Sequence, residues 1–400
     1  MTEIFTGNFT QQEPIPEDAI ARAIEVMRSG RLHRYNTADG ETAEVTLLEQ
    51  EFASYMGVKY CLAVTSGGYA LTTALRAFGL AAGEPVLTNG FTLAPVPGSI
   101  AGAGGRPVMV EVNDDLTIDL DDLAQKIQSS KARVFMLSHM RGHIVDMDAL
   151  MGICNNSGVA VIEDCAHTMG ASWGNVKSGR HGLAGCYSTQ TYKHMNSGEG
   201  GFLISDDAEL MARATILSGS YMLYGKHIAS PPEEVFLKIR LETPNCSGRM
   251  DNLRAAILRP QLKLLDENCR RWNEQYDAVA HELGNVPGVR LPHRPENEHF
   301  VASSFQFNLP EFTENQIKSL VAAAKARGVE LKWFGASEPV AFTSKHDSWS
   351  YAGRQALPKT DQVLSTLLDM RLPLTFSIDD CKLIGRIIRE CVLAERSEIL

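Results

Sequence analysis

VAVIEDCAHTMGA, residues 159–171, is the stretch on which the reading of this chain turns. Four apolar residues run into two acids, Glu163 and Asp164, and the segment then becomes polar. A short run rich in β-branched residues and closed by polar chemistry predicts a buried strand whose carboxyl end opens onto a site. Working outward, the same pattern recurs. YCLAV (60–64), PVL (85–87), PVMVEV (107–112), RVFML (133–137), GCYS (185–188) and GFLI (201–204) are further strand candidates. Helical patterns such as ALTTALRAFG (70–79) and DMDALMGICNNSG (146–158) lie between them. This alternation predicts an α/β fold, with a mainly parallel seven-stranded sheet covered by helices on both faces. GFLI follows GCYS without a long helix, so an antiparallel strand is expected there.

The flanks differ from this core. PEDAIARAIEVMRSG (16–30) and EVTLLEQEFASYMG (44–57) read as helices closed by glycine. Residues 249–284 read as one long helix, in which Pro260 should cause a kink or a break. The tail changes style, with a strand at ASSFQFNLP (302–310), a helix at ENQIKSLVAAAKARG (314–328), a strand at VELKWF (329–334) and a helix from about Asp379 onward. We therefore expect residues 1–250 to form an N-terminal segment plus a large α/β domain, and residues 251–400 a smaller α+β domain.

Composition excludes some functions. A formal net charge of −10 argues against nucleic acid or an anionic membrane surface as partner. No apolar stretch reaches the ~18 residues of a membrane span. The first residues show no basic region followed by an apolar run, so a cytoplasmic protein is expected. The eight cysteines are scattered without a CxxC pair. They read as buried thiols rather than disulfides or zinc ligands, and no metal is expected.

In open α/β sheets, sites form at the carboxyl ends of strands. Four segments of this chain carry suitable chemistry there: TSGGYA (65–70), NGFTLAP (89–95), EDCAHTMGA (163–171) and STQTYKHMNSGEGG (188–201). Ser66-Gly67-Gly68 could let backbone amides at a helix start approach a phosphate, or could be an ordinary turn. Asp164 could pair with a protonated pyridine nitrogen, or could cap a helix beside an exposed Glu163. Lys193 lies between two apolar strands rather than on a helix face, which suits an amine that forms a Schiff base better than a surface lysine.

SGGYAL (66–71), FTLAP (91–95), EDCAH (163–167), STQTYKHMNSGEGG (188–201) and RMDNLRAA (249–256), in this order, resemble the DegT/StrS-like sugar aminotransferases. That family has the fold type I architecture and uses pyridoxal 5′-phosphate. The resemblance implies that Lys193 carries the cofactor and moves a proton, that Asp164 holds its ring nitrogen, and that His167 lies near its phenolic oxygen. It further implies that Ser188 and the backbone from Gly67 through Gly68 to Tyr69 hold the phosphate, and that Leu93 lies against the ring. Asn245, Ser247 and Arg249 would reach the neighbouring subunit's site, so a homodimer with shared active sites is implied. Three positions depart from the family's pattern: Gly68 replaces a hydroxyl residue, Leu93 an aromatic one and Ser247 an asparagine.

In the family it resembles, members that act as sugar dehydratases carry histidine in place of this lysine, so Lys193 implies transamination. The expected reaction moves an amino group from Glu or Gln to a carbonyl of a keto or aldehydo sugar, a cyclitol or a related polar metabolite. Arg34, Tyr35, Arg141, Tyr221 and Trp333 are the candidate substrate contacts, with Arg34 and Arg141 suited to a carboxylate or phosphate. The alternatives are elimination or a similar cofactor-dependent reaction on an amino-acid-like substrate, and a non-catalytic regulator that binds the cofactor.

Overall fold

The computed structural model describes residues 3–397. The apolar runs become seven strands of one sheet: β1 (Tyr60–Val64), β2 (Pro85–Asn89), β3 (Arg106–Val110), β4 (Val134–Ser138), β5 (Ala160–Asp164), β6 (Ala184–Ser188) and β7 (Gly201–Ser205). Their order across the sheet is β1-β7-β6-β5-β4-β2-β3. Only β7 runs against its neighbours β1 and β6, so GFLI is the antiparallel strand that its short connection predicted. The remaining pairs are parallel.

Both faces of the sheet are covered, which is why its strands are continuous apolar runs rather than alternating ones. On one face Leu48 and Phe52 pack with Phe135, Val161 and Phe202. On the other, Leu71, Leu75 and Ile100 pack with Met136, Ile162 and Leu203. Sequence neighbours such as Val161 and Ile162 thus serve opposite faces, as the pleat requires.

Beyond the sheet, the helix Asn252–Leu283 runs through Pro260 without a break. The missing amide removes one internal hydrogen bond, but both halves of the helix are anchored. Leu258, Leu262 and Leu265 pack in the large-sheet core, while Val279 and Leu283 pack in a second core. The chain crosses between cores inside this helix, from Trp272 in the first to Tyr276 in the second. The second core lies around a three-stranded antiparallel sheet of β8 (Ser304–Asn308), β9 (Lys332–Trp333) and β10 (Leu367–Arg371), ordered β8-β10-β9. Phe5 and Phe9, from the opposite end of the chain, join it through edge-to-face contacts with Phe376. The helix Asn252–Leu283 thus contributes to both cores, and Phe5 and Phe9 pack in the smaller one while Leu48 and Phe52 pack in the larger.

Two expected substrate contacts turn out to be architectural. Arg34 is fully buried and forms a fork-to-fork ion pair with Glu49 at 2.9 and 2.8 Å. His227 bridges Arg34 and the Tyr35 hydroxyl, at 3.1 and 2.8 Å. Glu49 also accepts the Ala63 amide at 2.8 Å, which ties the pair to β1. Burial alone would raise the Glu49 pKa, but the Arg34 guanidinium and the His227 ring together hold the carboxyl low. Glu49→Gln should cost about 3–5 kcal/mol of stability, because it leaves a buried guanidinium without its counter-charge. Denaturant unfolding measures this, and a loss below about 1 kcal/mol, the usual worth of an exposed pair, would contradict it.

Candidate active site

The carboxyl ends of β4, β5 and β6 bring Ser138, Asp164 and Ser188 to one edge of the sheet, where Ser188 lines a cleft of about 470 Å³. Gly67, Gly68, Leu93, Arg141, His167, Ser188 and Lys193 line it.

The phosphate side follows from the turn after β1. Ser66 caps the helix Gly67–Phe78 by accepting the Tyr69 amide at 3.0 Å. Gly67 and Gly68 occupy the first turn, where a helix offers its amides no internal acceptor. A Cβ on Gly67 would lie 2.9 Å from the Ser188 Cβ, so the close approach of these segments requires glycine. Gly68 has open space, with nothing nearer than 3.8 Å to a built Cβ, so its small size is not dictated by packing. Tyr69 differs from expectation: its amide is used by the cap and its hydroxyl donates to the Leu217 carbonyl.

Glu163 and Asp164 point to opposite sides of β5. Glu163 is not the exposed acid that the sequence allowed for. It is fully buried and accepts the amides of Gly179, His181 and Gly182 at 2.8–2.9 Å as well as His139 Nε2 at 3.0 Å. Those bonds saturate it, so the neighbouring His139 and Cys165, though close enough to share a cation with it, offer no free carboxylate. Asp164 is buried behind the cleft wall and accepts Ser138 Oγ at 3.0 Å and the Ala166 amide at 3.2 Å. Burial raises its pKa, and those two donors and the Lys193 charge act against that rise. Ser138 is itself fixed, through two backbone bonds to the Asn89 amide group (2.9 and 3.0 Å) and a 2.8 Å bond from Thr92 Oγ1.

Lys193 rises from the cleft floor, and its Nζ lies 2.7 Å from His167 Nε2. Withdrawal from water lowers its pKa to about 7, helped by the Arg141 and Arg371 charges and opposed by Asp164. The His167 pKa falls well below its ordinary value, first through burial and then through Lys193. His167 Nδ1 accepts the Arg141 amide at 3.2 Å, which assigns the ring proton to Nε2 and turns that donor toward the lysine lone pair. Arg141 can present its amide this way because it adopts a left-handed conformation, φ 58°.

Leu93 lines the cleft, whereas Phe91 is buried against Phe334 with ring centroids 5.1 Å apart. The position expected to face the cofactor ring is therefore aliphatic. Asn245, Ser247 and Tyr221 lie in a separate surface hollow. Arg249 is drawn to the same place, bonding the Gly219 carbonyl and Ser247 Oγ at 2.9 Å each and lying 5.0 Å over the Tyr221 ring. Trp333 donates to the Ser365 carbonyl at 2.8 Å and packs against the second core. None of these five, nor Arg34 or Tyr35, lines the cleft of their own chain. Conversely, Tyr192, Phe342 and Arg371 line it and were not singled out from sequence. Tyr192 adjoins Lys193 and could have been included; Arg371 and Phe342 are distant in sequence and carried no motif.

The sequence model of the DegT/DnrJ/EryC1/StrS aminotransferase family matches residues 14–389. This chain belongs to that family. Among its relatives is the L-glutamine:2-deoxy-scyllo-inosose aminotransferase of Streptomyces fradiae, 31% identical over 68% of this chain and 65% of the relative. The match thus spans just under two thirds of that protein. The 3-amino-5-hydroxybenzoate synthase of Amycolatopsis mediterranei (strain S699) is also 31% identical, over 70% of each chain. The crystal structure of the aminotransferase TlmJ from Streptoalloteichus hindustanus superposes with a TM-score of 0.82 at 22% identity, covering 98% of this chain and 99% of that one. It shows the same fold, the expected mainly parallel aminotransferase architecture. The DegT/DnrJ/EryC1/StrS family uses pyridoxal 5′-phosphate, and the residues here fit that group. A lysine amine of lowered pKa and a glycine-bearing helix start beside Ser188 line one cleft, and the buried Asp164 carboxylate is close enough to act on the lysine charge.

Proposed function

We propose that this chain is a pyridoxal-phosphate-dependent aminotransferase that takes an amino group from glutamate or glutamine and delivers it to a carbonyl of a keto or aldehydo sugar, a cyclitol or a related polar metabolite. The observation that carries this reading is Lys193. Burial and two nearby guanidiniums draw its amine down to a pKa of about 7, and it lies against a neutral histidine in a cleft with a phosphate-type cradle. When bound, the cofactor supplies an electron sink that stabilises negative charge on the substrate carbon.

The protein's own groups do the rest. The first-turn amides of Gly67 and Gly68 and the Ser188 hydroxyl would hold the phosphate. Asp164, pre-positioned by Ser138, would pair with the ring nitrogen and keep it protonated. Lys193 would hold the cofactor and then, once free, take a proton from the substrate carbon and return it to the cofactor side, acting as an amine with a pKa near the working pH. His167 would steer that amine and donate toward the ring oxygen.

A homodimer suits the hollow of Asn245, Ser247 and Tyr221, which is separate from the cleft, has Arg249 against it and lies in a region with the exposed Met222, Leu223 and Leu241. A cytoplasmic setting suits seven buried free thiols. Among the described residues no helix is long and apolar enough to cross a membrane.

The test is direct: the cofactor-loaded protein is incubated with single amino donors, and conversion to the pyridoxamine form is followed by absorbance. Failure of every α-amino acid would refute the reading. Leu93 supplies a finer check. Leu93→Phe should tighten cofactor binding by a few-fold, because an aromatic pair adds about 0.5–1.5 kcal/mol to plain apolar contact. Equilibrium titration measures it, and an unchanged or weaker affinity would show that residue 93 does not pack on the ring.

A further inference from the structure

Asp369 sits in the middle of β10, the central strand of the small sheet, and is fully buried. A carboxylate there is costly without partners, and its partners come from both domains. Within the small sheet, Gln306 Nε2 donates to its Oδ1 at 2.7 Å. Gln306 also donates to Ser304 Oγ at 2.8 Å and accepts from His143 Nε2 at 2.9 Å, which locks its orientation. From the large domain, Arg141 Nη2 donates to Asp369 Oδ2 at 3.0 Å. The same guanidinium lies 4.4 Å over the Phe342 ring. Burial raises the Asp369 pKa, and the Arg141 charge is the main force in the other direction.

At its other end Arg141 is strained. It lies in the turn Met140–Gly142 after β4 at φ 58°, followed by Gly142 at φ 81°. Glycine takes such angles freely, whereas an arginine keeps one only where its surroundings fix it. Gly142 is required by its neighbours, since a Cβ there would lie 2.8 Å from the Val301 carbonyl oxygen. For Arg141 the fixing contacts are those at the tip of its side chain, to Asp369 and Phe342. Its amide, turned by this conformation, donates to His167 Nδ1 at 3.2 Å, and His167 Nε2 faces Lys193 Nζ at 2.7 Å. A continuous chain thus runs from the small sheet through Asp369, Arg141 and His167 to the reacting amine.

We propose that Asp369 is a positioning residue for the reacting lysine: by anchoring Arg141 it holds that residue's amide on His167 Nδ1 and keeps the imidazole proton on Nε2. Without that amide, Nδ1 loses its donor and the ring is free to carry its proton there instead. Nε2 would then be an acceptor, drawing a proton from the Lys193 amine rather than offering one to its lone pair. The small domain thereby sets the hydrogen bonding of a lysine that the large domain carries. The effect on turnover rests on the aminotransferase reading; the tautomer exists without cofactor and is tested without it.

Heteronuclear NMR of isotopically labelled histidine in the cofactor-free protein reads the tautomer, with the His167 signals assigned by their loss in His167→Gln. Wild type should show a single tautomer with Nδ1 unprotonated. Asp369→Asn replaces one of two acceptor oxygens by a donor, so it cannot hold Gln306 and Arg141 together. It should convert His167 to a mixture or to the other tautomer. In the cofactor-loaded protein it should lower kcat by about 2- to 12-fold with KM little changed, the worth of one neutral hydrogen bond. An unchanged His167 spectrum in Asp369→Asn overturns the proposal, whatever happens to kcat. Should the unpaired guanidinium prevent that variant from folding, two double variants decide. Arg141→Gly with Asp369→Asn and Arg141→Ala with Asp369→Asn both remove the two charges of the pair and differ only in the freedom of residue 141. Glycine takes φ 58° unaided, so the wild-type tautomer should persist; alanine lacks the anchor, so it should be lost. The same tautomer in both double variants overturns the proposal. If the spectra change as described while no amino donor reacts with any of the proteins, the positioning role stands and the aminotransferase reading falls.

Discussion

Lys193→Ala is expected to abolish amino transfer, by about 10⁴-fold or more, while the fold stays intact. A loss of that order follows when the group that both holds the reactant and moves the proton is deleted. The fold should survive because the side chain makes one polar contact, to His167, and belongs to none of the apolar cores. Borohydride treatment of the wild type should fix the cofactor to Lys193 and to no other lysine, and peptide mapping that finds another site would refute the assignment. The lowered pKa adds a pH signature. Only the uncharged amine can capture an aldehyde, so the rate of cofactor capture should rise with pH and level off above about 7. An unperturbed lysine would keep rising toward its ordinary value near 10.4. A capture rate still climbing at pH 9 would show that burial and the two arginines do not lower the amine as the structure indicates.

The large sheet was legible because burial on both faces leaves continuous apolar runs, and the short link between GCYS and GFLI forecast the direction of β7. The strand β10, LLDMR, was not read from sequence. It carries Asp369 in the middle and Arg371 at the end, so its pattern resembles neither a buried strand nor an alternating one. Those charges reflect its place beside the cleft, where Asp369 is paired rather than solvated. Pro260 does not break its helix as its sequence allowed: Leu258 and Leu262, on either side of it, are both held in the large-sheet core, which keeps the helix continuous.

The same limits shaped the site. Lys193, Asp164, His167, Ser188 and the glycines sit in segments that end strands of one sheet, so motif order and fold together predicted that they converge. Arg34 shows the converse. Nothing local separates a ligand-binding arginine from one bound to a glutamate fifteen residues on, because both need an acid partner and only the fold decides which. The polar chain Thr92–Ser138–Asp164 joins three strand ends whose spacing in sequence carries no signal. Arg141 lines the cleft, but its left-handed backbone and its bond to His167 carry no signal in the sequence.

Asp164→Asn should slow the half-reactions by at least about 100-fold with the cofactor still bound, in the range that removal of a preorganised electrostatic contact costs elsewhere. Lys193 and the cradle at Gly67, Gly68 and Ser188 retain the cofactor, so the loss should appear in rate rather than in occupancy. The substitution removes the charge that keeps the ring nitrogen protonated, and it disturbs the network behind it. Ser138 Oγ now accepts from Thr92 and donates to Asp164; if the asparagine turns its NH2 group there, Ser138 loses its acceptor. Ser138→Ala separates the two effects, because it keeps the carboxylate and deletes one neutral donor, for which a loss of about 2- to 12-fold is expected. Stability should move the other way. Burial holds the Asp164 pKa above its unfolded value, so the ionised carboxylate opposes folding, and the penalty fades as pH falls through the folded pKa. Without cofactor, Asp164→Asn should therefore melt no lower than wild type at pH 7. A variant that keeps nearly full rate with cofactor bound would show that another group holds the ring nitrogen. One that melts well below wild type would show that the carboxylate is structural, positioned for Ser138 and Ala166 rather than for a cationic ring.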